Sequence, residues 1–261
     1  MVRALVRRDY AVSRSYRLTF VLDVFFGVVS LLIYFFISRT FEDATTRDLG
    51  GAPNYFAFAA VGVALNLVIQ AATARLVQRV REEQLTGALE ILVAQPITAT
   101  ELVLGLAGFH FLFAVSRAVF YLLVAGFFLD ADLSGADWGG FVVVLAATAV
   151  AMGCIGIALA ALVLLIKRAE LPAGLALLAL ALLGGAFFPV SVLPGWLEAI
   201  ADVLPTTFAF SGVRAALYRG EDWAVPAAEL AAFAVVALPV SIAVFRAALW
   251  FAKREGSLSS P

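Results

Sequence analysis

Charge is scarce in this 261-residue chain, at 14% Asp, Glu, Lys and Arg, and so are the side chains that do most solution chemistry. There is one cysteine, Cys154, and one histidine, His110. A single cysteine forms no internal disulfide, and one Cys with one His makes no zinc site. Lysine occurs only at Lys167 and Lys253, in Ile166-Lys167-Arg168 and Ala252-Lys253-Arg254. Neither is the Gly-Lys-Ser/Thr of a phosphate-binding loop, so the chain holds no nucleotide site of that kind. What the composition has instead is apolar bulk, 63% of residues, with mean hydropathy +1.00. A soluble domain is roughly 45–50% apolar and about 25% charged, because it needs a polar shell. A soluble enzyme, a nucleic-acid binder and a disordered chain are excluded. A polytopic membrane protein remains.

Six segments hold the ~20 mainly apolar residues that a bilayer crossing needs. They are about Leu18–Ser38, Tyr55–Ala74, Leu102–Leu129, Trp138–Ile166, Leu171–Phe188 and Ala224–Phe251. The first has no small-residue cleavage site and is followed by five more, so it reads as an uncleaved span. With both termini on one side, that side carries Arg3, Arg7, Arg8, Arg14, Arg17, Arg75, Arg79, Arg81, Lys167, Arg168, Lys253 and Arg254. The other side carries only Arg39, Arg47, Arg214 and Arg219, with many acids, and Arg117 and Arg246 fall inside spans. The positive-inside rule then puts both termini in the cytoplasm. Residues 1–17 set Arg3, Arg7, Arg14 and Arg17 on one side of a helix and Val2, Leu5, Val12 and Tyr16 on another, with Asp9 intruding. The expectation is a helix lying in the cytoplasmic interface, the alternative a plain basic flank. The fold class expected is an all-α membrane protein with six transmembrane helices, in one domain over residues 1–261.

Two stretches between spans are informative. Residues 75–101 read RLVQRVREEQLTGALEILVAQPITATE. Leu85, Leu89, Leu92 and Val93 fall at helical spacing beside Glu82, Glu83 and Glu90, and Pro96 ends that helix. Thr98 and Glu101 are spaced for a capping box on the next span. A connector between antiparallel helices is commonly ~2–8 residues. This longer, amphipathic one is expected to dock another protein, or else to be an ordinary connector. The second stretch is an outer hairpin over residues 189–223. Pro194 opens a helix carrying Trp196, Leu197, Ile200 and Val203, and Pro205 breaks it. Thr206 or Thr207 can cap a second helix carrying Phe210, Val213 and Leu217, which Gly220 stops. Two pieces too short to span and too apolar for water are expected to dip into the outer leaflet and roof a cavity.

Ionisable residues within spans are costly, so each invites a role. Arg117 lies sixteen residues past Glu101, ~24 Å along the axis, in the outer half of the third span. It is expected to pair with Glu198 or Asp202 of the hairpin, or to snorkel outward. Asp23 reads as interfacial, Asn66 and Gln70 as an inward polar seam, and His110 as structural. Gly153 with Ala149, Gly156 with Ala160, and Ala181 with Gly185 have small-residue spacing for close helix contact.

With these motifs in view, the chain resembles the membrane-spanning permease subunit of type-2 ABC exporters, the group that includes daunorubicin-type drug-efflux permeases and polysaccharide exporters. RSYRLTF, REEQLTGALEILVAQP and GGAFFPVSVLPGWLEAIADVLPTTFAFSGVRAALYRG carry the resemblance, over nearly the whole chain. It implies that the N-terminal segment is an elbow helix. It implies that Arg81, Glu82, Glu83, Leu85, Thr86, Gly87, Leu89 and Glu90 form a coupling region against an ABC ATPase subunit. Pro189, Pro194, Trp196, Glu198, Asp202, Pro205 and Arg214 would belong to the exit hairpin. Two such chains would work with two ATPase chains, which would bind the ATP and Mg, leaving no cofactor or metal here. The cargo would be hydrophobic, amphipathic or lipid-linked, as in multidrug efflux, moved out across a bacterial or archaeal cytoplasmic membrane. The alternatives are a polysaccharide or glycolipid exporter and, in a different class, an integral-membrane lipid-modifying enzyme. For the enzyme, Asp130, Asp132 and Asp137 are the nearest candidates, and they read as a solvated loop. A channel or structural anchor would need no ATPase.

Overall fold

In a bilayer the backbone must satisfy its own hydrogen bonds, and long apolar runs do so as helices. The computed structural model describes residues 2–15, 17–40, 49, 51–95, 98–129, 131–166, 170–219 and 222–255. Among them the regular structure is helical throughout. The helices are α1 (Val2–Ser15), α2 (Arg17–Thr40), α3 (Tyr55–Ala72), α4 (Ala74–Leu85), α5 (Ala88–Ala94), α6 (Ala99–Phe128), α7 (Trp138–Leu165), α8 (Glu170–Leu183), α9 (Gly195–Ala201), α10 (Pro205–Arg214) and α11 (Ala224–Glu255). A 3₁₀ turn at Val190–Val192 precedes α9, and a π-helical turn at Ala215–Arg219 follows α10. Tyr16, Arg47, Pro96, Asp130, Lys167, Arg168 and Gly220 lie outside the described residues, as do the side chains of Val2, Val12, Arg14, Arg17 and Lys253.

Five helices are long and apolar enough to cross a membrane: α2, α3 running on into α4, α6, α7 and α11. The remaining expected span differs. Its helix, α8, has 14 residues, ~21 Å against the ~30 Å of a hydrocarbon core. Gly185 ends it with φ +80°, while the Ala186 N–H returns to the Ala181 carbonyl at 3.2 Å and the Gly185 N–H to Leu182 at 3.3 Å. That bond pair is a helix terminator, so Ala181 and Gly185 close α8 instead of forming a contact seam.

The core runs along α3, of whose 18 residues 13 are buried. It packs on α2, α6, α7 and α10, and α7 and α11 lie side by side along the most extensive contact in the fold. The α3–α4 join passes close to Gly156 of α7 at the Ala72 backbone, whereas a Cβ at Gly153 would meet nothing within 4 Å. Helix α1 lies along the start of α6, with Leu5 against Gly105, Val6 against Gly108, and Tyr10 edge-on to Phe109 at 6.2 Å. At 30 residues, ~45 Å, α6 outreaches the ~30 Å hydrocarbon core, and its first turns are flanked by α1.

Candidate functional site

Two polar constructions sit at opposite ends of α3. At the end where α3 passes into α4, the apparent intruder on α1, Asp9, is the anchor. Asp9 is 3% exposed and Glu83 4%. Arg79 Nη2 reaches Asp9 Oδ1 at 2.8 Å and Glu83 Oε1 at 3.3 Å, and its Nη1 reaches Glu82 at 2.9 Å. Arg8 Nη2 lies 2.6 Å from Glu83 Oε1, with its Nε 3.1 Å from Asp9. Burial alone would lower the Arg8 guanidinium, but the Glu83 and Asp9 carboxylates hold it above its ordinary value. Buried acids between two guanidiniums join α1 to α4 as one unit.

Beyond that network the single helix expected over Leu85 to Val93 is broken in two. Thr86 turns its hydroxyl onto the Glu82 carbonyl at 2.9 Å, and Gly87 takes φ +71°, a conformation open to glycine and costly for other residues. The break swings Leu89 and Leu92 inward, onto Leu76, Val80, Leu102 and Leu106. Leu85 and Ile91 point out, 54% and 67% exposed, beside exposed Glu82 and Glu90. Arg81 donates to Gln84 at 3.0 Å. The Thr98–Glu101 capping box then starts α6. The coupling candidates therefore divide. Glu83 and Leu89 hold the turn to the body, while Glu82, Leu85, Thr86 and Glu90 face out from it.

At the other end of α3 lies Arg214, expected in the outer hairpin and found 4% exposed. Its guanidinium stacks 3.5 Å from the Phe58 ring centroid. Its Nη2 donates to the carbonyls of Gly185 at 2.8 Å, Ala186 at 3.3 Å and Phe58 at 3.3 Å. Those first two carbonyls stand at the C-terminal end of α8, where the helix dipole favours a cation. Tyr218 donates to the Ala57 carbonyl at 2.7 Å, Tyr55 to Phe187 at 3.0 Å. Gly62 completes the seat, since a Cβ there would collide with the Ala186 carbonyl oxygen. Phe210, Val213 and Leu217 are core residues, 0%, 1% and 0% exposed. Thr206 and Thr207 do not cap α10. Pro205 occupies its first turn, and Thr207 instead donates to the Ala201 carbonyl at 2.6 Å. The Pro189 carbonyl closes the 3₁₀ turn and the Pro194 carbonyl starts α9. Helix α9 stays open, with Trp196 69% and Val203 71% exposed beside Glu198 and Asp202.

Arg117 does not reach Glu198 or Asp202. Its Nη1 lies 3.4 Å from Asp23 Oδ2, and its Nη2 donates to the Asp23 carbonyl and the Tyr121 hydroxyl, both at 3.1 Å. The first turns of α6 lie beside α1, before α2 begins, so sixteen residues past Glu101 brings Arg117 level with Asp23 and short of the hairpin. Asp23 is thus paired, not merely interfacial. Asn66 and Gln70 do share a face, with Gln70 Nε2 donating to Asn66 Oδ1 at 3.2 Å, but that face looks away from the chain's own bundle. Asp132 and Asp137, the described candidates for an enzyme, serve as local caps. Asp137 accepts from the Gly140 N–H at 2.9 Å and Trp223 Nε1 at 2.8 Å, and the Gly140 bond holds its carboxyl below the ordinary value.

A family model described as ABC-2 type transporter matches residues 2–218. The chain belongs to the ABC-2 type transporter family. No individual curated protein matches it. As a member of that family the chain is a membrane permease, a transport component and not itself a catalyst. The matched region takes in both polar constructions of this ABC-2 permease. Sequence reasoning missed Asp9, Arg8 and Arg79 as one network, and Phe58, Tyr121 and Tyr218 as polar partners. A signal existed for the first: Asp9 is the lone acid of an otherwise basic helix. Tyr121 and Tyr218 stand one turn after Arg117 and Arg214, a weak signal, and Phe58 sits in an ordinary apolar run with none.

Proposed function

We propose that this permease is the membrane subunit of an ATP-driven exporter whose ATPase is a separate chain seated on the α4–α5 turn. The observation that carries the reading is the two-sidedness of that turn. One face is fixed to the body through Glu83, Leu89 and Leu92, and the other presents Leu85 and Ile91 among Glu82, Thr86 and Glu90. A rigid, amphipathic projection of this kind suits a protein partner. Closure of two ATPase subunits on ATP and Mg pushes on two such turns. The push passes through the Asp9–Arg79–Glu83–Arg8 network into α1 and, through the packed core, into α6. Both termini and the turn face the cytoplasm, as the basic residues at that end require. The cargo is hydrophobic, amphipathic or lipid-linked, in keeping with the many large apolar side chains exposed along α2, α6 and α11.

The test is gentle extraction of the tagged chain from its native membrane and identification of what accompanies it. A stoichiometric soluble chain with a phosphate-binding loop is expected, lost on Leu85→Asp or Glu90→Lys and kept on Val235→Ala, a change on α11 away from the turn. Glu83 is unsuitable for that test, because its reversal also breaks the network. Repeated absence of an ATPase, or its retention in both turn variants, overturns the reading.

A further inference from the structure

Arg246 belongs to neither polar construction. It lies within the span of α11, is exposed, and has no hydrogen-bond, ion-pair or ring partner among the described residues. A cation in a span that its own chain leaves unpaired calls for a partner from outside the chain. Its depth says where. The nearest acid before it on α11 is Glu229, also exposed, seventeen residues earlier and ~26 Å along the axis. Residues 230–245 between them carry no charge, so the two bracket a hydrocarbon core of ~30 Å. In the orientation proposed above, Arg246 then stands at the cytoplasmic edge of that core.

Trp250 and Arg254 continue the same face four and eight residues further on, and both are exposed. Phe245, Ala248, Leu249 and Ala252 form the buried face of this part of α11, so the line looks away from the bundle. The Arg254 guanidinium lies 4.4 Å from the centroid of the Trp250 ring. That contact draws its charge back about one turn, ~6 Å, toward Arg246. The gap left between the two cations is about the depth of one headgroup layer, ~5–8 Å. A guanidinium takes phosphate through a planar fork, and a Trp ring suits the boundary between acyl chain and headgroup. No acid occurs between Glu229 and Glu255, and Lys253 adds a third cation to the segment. A zwitterionic headgroup would bring its own cation to a line with nothing to receive it. A headgroup of net negative charge brings none.

We propose that Arg246, Trp250 and Arg254 form a binding site for the phosphate of an anionic phospholipid in the cytoplasmic leaflet, with Arg246 as its deep anchor. The site rests on the orientation of α11 and not on the exporter reading. A protein covering this face is the competing occupant.

The full chain, reconstituted in phosphatidylcholine bilayers, provides the test. Phosphatidylglycerol with brominated acyl chains, which quench tryptophan on contact, is titrated in, with brominated phosphatidylcholine as the reference. The Trp250 signal is the difference between the parent and Trp250→Phe. Each cation beside an anionic headgroup is worth about five-fold in affinity. Trp250 is therefore expected to be quenched at about five- to twenty-five-fold lower mole fraction of phosphatidylglycerol than of phosphatidylcholine. Arg246→Gln is expected to reduce that preference about five-fold and Arg246→Lys less, while Arg3→Gln on α1 leaves it unchanged. Equal quenching by the two lipids overturns the proposal, as does a preference that survives Arg246→Gln. Quenching by neither shows a face covered by protein and overturns it too. Both leaflets of the test bilayer hold the same lipid, so the result stands apart from the orientation of the chain.

Discussion

Arg214 has no carboxylate partner among the described residues, yet it is one of the most buried cations in the chain. Its charge is held by three carbonyls and the face of Phe58, an arrangement that depends on a planar, forked head group. Lysine keeps the charge but neither the fork nor the stacking. Hydrogen bonds to charged groups are worth about 1.5–3 kcal/mol, and a lost neutral bond about 1 kcal/mol. Arg214→Lys is therefore expected to lower the stability of the purified protein by roughly 2–3 kcal/mol, and Tyr218→Phe by about 1 kcal/mol. Thermal unfolding in detergent checks both. An Arg214→Lys protein that melts like the parent would show that the fork contributes nothing. This residue also marks a boundary of sequence reading. Span counting puts Arg214 in the outer hairpin but says nothing of its burial, and Phe58 gives no sign from its own neighbours that a guanidinium lies on its ring.

At the scale of elements, the spans were legible because twenty apolar residues in a row have few other fates. Their ends were less so. Periodicity carries the eye from Leu85 to Val93 as one helix, but Thr86 and Gly87 interrupt it, and only backbone geometry reverses which leucines face in. In α8 the terminator at Gly185 looks, in sequence, like another small residue suited to helix contact. Gly87 offers a clean test, because nothing lies within 4 Å of where a Cβ would stand. Gly87→Ala is then a purely backbone change, expected to cost about 1 kcal/mol. The loss should be local. Amide exchange in α5 accelerates, while that of α3 is unchanged. Uniform acceleration throughout the bundle would contradict a cost confined to the α4–α5 turn.

For the whole molecule, the two ends of α3 should face different compartments. Basic residues gather with the α4–α5 turn, and the exposed aromatic Trp196 stands with the α9 hairpin. On a Cys154→Ser background, Trp196→Cys is expected to react with a membrane-impermeant maleimide in intact cells, and Leu85→Cys only after permeabilisation. The opposite pattern would invert the orientation assigned from charge. The general location of these regions was legible in composition. The cross-chain partners were not, because Arg117 finds Asp23 ninety-four residues away through the relative heights of α2 and α6. Such heights follow from where α1 lies, which no local pattern encodes.

The burial of α3 also has a consequence for how the protein is made. Most of what covers α3 belongs to α6, α7 and α10, all later in the chain. Arg214, which caps its Phe58 end, comes 156 residues afterwards. At about 5–20 residues per second, the ribosome takes roughly 8–30 s to supply it. Until then the Phe58 end of the most enclosed helix lacks its buried cation, whatever α6 and α7 already cover. Truncation before α10 would leave that end of α3 as the unfinished part of the bundle.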